Sequence, residues 1–121
     1  MPDHVIREID LPVPPAEAWA WLTEPDALGA WLDADVELDV RPAGRGCFRF
    51  ADGETRFAMV EQVDAGRAIA FRWWPERARD DASRVAIELE PIDDGTIVRV
   101  TETRMRASAA RVGPRTALAC A

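Results

Sequence analysis

The stretch Gly46-Cys47-Phe48-Arg49-Phe50-Ala51-Asp52-Gly53-Glu54-Thr55-Arg56-Phe57-Ala58-Met59-Val60 decides the fold class. Phe48 and Phe50 alternate with Cys47 and Arg49, and Phe57 and Met59 recur with the same period of two beyond Asp52-Gly53. A period of two marks a strand with one buried face. An Asp-Gly pair between two such runs supplies the positive φ of a tight hairpin turn. The stretch therefore predicts a β-hairpin whose core face carries Phe48, Phe50, Phe57 and Met59.

The same grammar extends outward. Downstream, Asp64-Ala65-Gly66 turns the chain into a strand over 68–74 with Ile69, Phe71 and Trp73 facing one way, and Pro75 ends it. Residues 76–82 are polar and read as an exposed loop. Val85, Ile87 and Leu89 then alternate with Ala86, Glu88 and Glu90. Asp94-Gly95 offers a second hairpin turn, and Val98 and Val100 alternate with Arg99 and Thr101 on the return. Upstream, Val36, Leu38 and Val40 form a strand closed by Pro42-Ala43-Gly44. Before it the period is helical: Pro15 opens one short helix with Trp19 and Leu22 three apart, and Pro25 opens another with Leu28 and Trp31 at the same spacing. Val5, Arg7, Ile9 and Leu11 share one face of a first strand. The Ala-rich stretch 107–121 reads as helix interrupted at Gly113-Pro114, since an interior proline costs about 3 kcal/mol.

Six strands joined mainly by short turns require an antiparallel sheet with one apolar face, which the helices must cover. Such a sheet twists and coils, so the covered face is concave. The expected class is α+β, as one domain over residues 1–121: strand, two helices, six strands, helix, with the curved sheet packed on a C-terminal helix. At 121 residues a single core is sufficient without metal or disulfide support.

Composition narrows the function. All 15 basic residues are Arg, and 22 acidic residues leave a net charge of −7. A net-negative domain with scattered Arg repels phosphate backbones and anionic bilayers, so neither nucleic acid nor membrane is an expected partner. No apolar run reaches the ~20 residues of a membrane span, and residues 1–10 lack a secretion signal, so a cytoplasmic location is expected. His4, Cys47 and Cys120 have no metal-ligand spacing; the cysteines are expected as free thiols, and no metal or cofactor is expected.

The order of pieces is specific enough to carry a family resemblance. Residues 5–11 precede Pro15-Ala16-Glu17-Ala18-Trp19; Thr23-Glu24-Pro25 leads through Leu28 to Trp31; then come Arg41-Pro42-Ala43-Gly44-Arg45-Gly46, Asp52-Gly53-Glu54, Val60-Glu61, Gly66-Arg67 with Phe71-Arg72-Trp73, and 96–102. This set, spanning about 4–105, resembles the START-like helix-grip superfamily, in the branch named for the activator of Hsp90 ATPase homologue. The resemblance implies a β-α-α-β6-α helix-grip fold with a cavity between sheet and C-terminal helix. Superfamily members bind lipids, polyketides or other hydrophobic molecules; some cyclise polyketides, and the eukaryotic namesake stimulates a chaperone ATPase. The family's C-terminal helix is long, whereas only about 16 residues follow Met105 here.

Three functions follow as expectations. The first is a binding module for a hydrophobic small molecule, its cavity lined by Trp31, Phe48, Phe50, Phe57, Met59, Phe71, Trp73, Ile87 and Val100. The plainer expectation is that these aromatics simply fill a core, since aromatics dominate core burial. The second is an interaction module for a protein partner, presenting its acidic surface or Trp21 and Trp74; monomer and homodimer both remain open. The third is a polyketide cyclase-like enzyme using Glu61 or Glu102, both on apolar-face parity if their strands run without a bulge; a bulge or strand end would carry each to solvent. No catalytic constellation is present, because neither carboxylate has a His, Cys or Lys nearby to build a relay.

Overall fold

A computed structural model describes residues 4–105. The expected helix over 107–121, its interruption at Gly113-Pro114, and Cys120 lie outside the described residues. The described chain runs β1 (His4–Leu11), α1 (Pro15–Thr23), α2 (Pro25–Leu32), β2 (Ala34–Leu38), β3 (Arg45–Phe50), β4 (Thr55–Asp64), β5 (Ala68–Pro75), β6 (Ser83–Ile92) and β7 (Gly95–Arg104). Each helix opens on a proline, Pro15 or Pro25, where the missing N–H has no partner to lose. Glu17 and Asp26 in the first turns favour the positive helix ends. No helix among the described residues is long and apolar enough to cross a membrane.

The strands form one curled antiparallel sheet in the order β1-β7-β6-β5-β4-β3-β2. Strands β2 to β7 are the expected meander. The first strand joins beside the last, with His4 opposite Thr103 and Leu11 opposite Thr96. The two helices then carry the chain across the concave face to the opposite edge. There Ala18, Leu22 and Leu28 pack with Phe48, Val60, Phe71, Ile87 and Val98. Phe48 is fully buried, stacked on Phe71 at 6.1 Å and meeting the edge of Trp73 at 5.4 Å.

One expectation is overturned in β4. Ala58 and Val60 occupy the buried face, while Met59 is exposed and Phe57 lies between Cys47 and Trp74 on the outer face. The reason is the hairpin loop. Phe50 N–H donates to Glu54 O at 2.8 Å and Gly53 N–H to Phe50 O at 2.9 Å, so three residues, Ala51-Asp52-Gly53, form the loop. Gly53 takes a φ of 99° there, as a three-residue hairpin requires. A two-residue Asp-Gly turn would have set Phe48 opposite Phe57; the extra loop residue sets it opposite Arg56 and turns every β4 side chain over.

The second hairpin differs without that consequence. Ile92 pairs with Gly95, so the loop is Asp93-Asp94 and Gly95 already belongs to β7. This register differs from the expected one by two, so Val98 and Val100 keep their faces. Glycine is required at position 95 because a Cβ would collide with the Leu11 carbonyl of β1. Next to it, Thr96 is fully buried and its hydroxyl donates to the Val13 carbonyl at 2.8 Å, tying the β1–α1 connection to β7.

A register shift between Val60 and Gln62 marks a β-bulge at Glu61. The bulge returns Val63 to the inner face opposite Ile69. Glu61 points outward and is gripped by Arg84 Nε at 2.7 Å and Arg72 Nη2 at 3.1 Å. Partial burial raises its pKa, but the hydrogen bonds from Arg84 and Arg72 and their charges outweigh that and hold it below 4.5. The outer face is not wholly polar: Trp74, expected as an exposed aromatic, is buried there with the Arg79 guanidinium 5.7 Å from its ring centre. Cys47, expected as a free thiol, is disulfide-bonded.

Two predictions follow from these contacts. Thr96→Val preserves shape but leaves the Val13 carbonyl unpaired, so urea unfolding should show a loss of about 1–3 kcal/mol; a loss below the error of the measurement would remove the tie from the account. Glu61→Gln should lower stability at pH 7 by no more than about 1 kcal/mol, because the pairs are partly solvated. A carboxyl whose pKa is depressed by folding stabilises above the unfolded value and loses that contribution as pH falls through the folded value. The gap between Glu61→Gln and the parent melting temperatures should therefore close under acid, below the ordinary carboxylate range, and stay open at neutral pH.

Candidate functional site

Between the helices and the concave sheet face lies an apolar cavity of about 340 Å³. Its walls come from every layer. Strands β3 and β5 contribute Phe48, Phe71 and Trp73, β6 and β7 contribute Ile87 and Val100, and Trp31 closes it from α2. These are six of the nine residues expected from the sequence. Phe50 sits one ring further along, 6.3 Å from both Phe48 and Trp73, where it backs the wall. Phe57 and Met59 lie across the sheet and take no part, for the register reason given above.

A second apolar space of about 400 Å³ adjoins the first along β1 and the helices, bordered by Leu11, Trp21 and Leu22. Ile9 and Trp31 line both spaces, so Trp31 stands at their junction. Sequence periodicity placed Trp31 in the core, yet it is 48% exposed, and Trp21 is 40% exposed. Both indoles present apolar surface at the rim.

The cavity has one polar wall. Glu102 faces it from β7 and accepts a hydrogen bond from Trp73 Nε1 at 3.1 Å. Its parity was legible; a frayed strand end, which would have released it to solvent, does not occur, because β7 continues to Arg104 opposite Ser83. Arg7 of β1 also lines this wall. Its inward parity was legible too, but nothing in the sequence announces that β1 pairs with β7, which is what brings Arg7 beside Val100. Trp73 is held from its other side by the Arg56 guanidinium, 4.8 Å from the ring centre, itself bonded to Glu54.

Chemically, the described lining is suited to binding. It offers one carboxylate and one guanidinium, and no His, Cys, Ser or Lys. Glu61, the other candidate acid, is on the outer face and engaged by two arginines. Among the described residues no group of three or more His, Cys, Asp and Glu could hold a metal ion. A broader outer depression of about 590 Å³ runs past Glu61 and Arg84, but it is open to solvent and those two charges satisfy each other. The apolar cavity is therefore the candidate site.

Comparison with known proteins agrees with this architecture. Residues 12–115 match the family model described as activator of Hsp90 ATPase homolog 1-like protein. No curated protein matches the chain. Among solved structures, DynU16, a protein of the dynemicin biosynthetic locus, superposes with a TM-score of 0.78 at 20% identity; the match covers 86% of this chain but only 38% of DynU16. Protein MLL2253 from Mesorhizobium loti gives 0.75 at 24% identity, covering 85% and 77% of the two chains. CV1439 from Chromobacterium violaceum gives 0.73 at 19%, covering 91% and 85%. At these identities the likeness is one of fold. With the family model spanning most of its length, the chain belongs to the activator of Hsp90 ATPase homolog 1-like family and has that family's helix-grip fold.

Proposed function

We propose that this domain binds a small hydrophobic molecule in the cavity between α2 and the concave sheet face. The observation that carries the reading is the 340 Å³ of apolar space left open beside an aromatic cluster, with a second apolar space that shares Trp31 and Ile9 as lining. A fully packed core leaves few voids larger than a water molecule, whereas ligand pockets start at about 300 Å³ with mainly apolar walls and a few placed polar groups. Family membership supports the same reading. DynU16 belongs to the dynemicin biosynthetic locus, and that lends no residue to the argument.

The cavity acts here as a holder. Its aromatic walls exclude water, and its two charged groups sit at one end. A thermal-shift screen against sterols, flavonoids, fatty acids and polyketide-like aromatics tests this. A ligand at a hundred times its Kd should stabilise the domain by about 2.7 kcal/mol. Val100→Trp, which fills the cavity, should abolish the shift while cooperative melting persists. Met59→Ala, on the exposed outer face, should leave the shift intact. A shift that survives Val100→Trp would place binding elsewhere.

A further inference from the structure

The polar wall of the cavity carries two charged side chains. Glu102 and Arg7 both face the cavity from neighbouring strands. Val5 is opposite Glu102 and Arg7 is opposite Val100, so the two charged residues are diagonal neighbours across β1 and β7. Diagonal positions of an antiparallel pair are about 7–8 Å apart at the backbone, within reach of long side chains. Yet Arg7 and Glu102 form no ion pair, and Arg7 has no hydrogen-bond partner among the described residues. Trp73 Nε1 fixes one carboxylate oxygen, Oε2, and Oε1 has no partner among the described residues. A donor and an acceptor thus converge on one end of an apolar space without satisfying each other.

The geometry points to a neutral hydroxyl on a hydrophobic, ring-bearing molecule as the group this wall recognises. The proposal rests on the cavity being a ligand site. A hydroxyl can donate its proton to Glu102 Oε1 and accept from the Arg7 guanidinium with the same oxygen. A carboxylate in that position meets Arg7 favourably but is repelled by Glu102. An ammonium meets Glu102 favourably but is repelled by Arg7. An unsubstituted hydrocarbon leaves both groups unpaired as it displaces their water. Like-charge juxtaposition is an effective means of rejecting a competitor. The aromatic walls accept the ring system of all four, so the discrimination resides in the two charged side chains.

Four probes of one shape separate these cases by isothermal titration calorimetry: naphthalene, 2-naphthol, 2-naphthoate and 2-naphthylmethylammonium. Because hydrogen bonds to charged groups are strong, 2-naphthol should bind about tenfold or more tighter than each of the others. Glu102→Gln should erase most of that advantage and improve 2-naphthoate. Arg7→Leu, at an exposed position of β1, should weaken 2-naphthol and improve the ammonium. This crossed pattern is one that a merely structural role would not produce. Should Glu102→Gln fail to fold, Arg7→Leu decides alone: an unchanged ranking overturns the proposal. Equal binding of naphthalene and 2-naphthol also overturns it while leaving the cavity reading intact. Failure of all four probes to bind overturns both.

Discussion

A strand repeats every two residues, so the number of residues in a hairpin loop decides which side chains face inward. In this protein the three-residue loop Ala51-Asp52-Gly53, closed by the Phe50–Glu54 pair, makes that decision for β4. It places small Ala58 behind Trp73 rather than a phenylalanine. With Phe57 turned inward, an additional large ring would occupy the concave face beside Phe48, Phe71 and Trp73, and overpacking of such a face is costly. The alanine is fully buried there, packed in the core with Phe48 and Phe71. Which β4 side chains join the concave face beside the aromatic cluster depends on that one loop residue.

The class and order of elements were legible because period-two and helical patterns alternate cleanly along the chain. Val85, Ile87 and Leu89 are buried where their alternation put them, and Pro15 and Pro25 open the two helices as their chemistry demands. What was not legible is non-local or of odd length. Asp-Gly is compatible with both a two- and a three-residue loop, and the choice reversed Phe57, Met59 and Glu61 together. The partnership of β1 with β7 joins residues some ninety positions apart, and local patterns carry no signal for it. Six of nine proposed lining residues share the cavity, five of them because their strands kept the expected parity; Arg7 escaped notice because its neighbour across the ladder was unknown. Trp31 and Trp74 exchanged their expected environments for the same reason, since helical and strand stripes tell which side of an element is apolar but not how deep it sits.

Charged side chains divide into two populations. On the outer face Arg72 of β5 and Arg84 of β6 both hold Glu61 of β4, and Arg99 spans Glu8, Glu88 and Glu90 from the middle of three strands. Glu8 above all raises the Arg99 pKa, through its hydrogen bond. These pairs are solvated and contribute modestly to stability, but they fix register laterally across the ladder. Inside, Arg7 and Glu102 are near one another without pairing. The same two residue types thus stabilise the sheet on one side and remain available on the other.

Among the described residues the sheet is curled but open, with β1 and β2 as its margins. An open margin is a row of backbone groups able to recruit another chain, and proteins guard against this with short strands, charges and prolines. Both margins carry such guards. The β2 margin is only five residues long and bears Asp35 and Glu37; the β1 margin carries Arg7, Glu8 and Asp10 and stops at Pro12. A closed barrel would need none of these devices, but it would also fix the width of its interior. Leaving the sheet open lets the cavity take its size from how far α2 stands off the strands, so a change in that helix alone would resize the interior with the strand ladder unchanged.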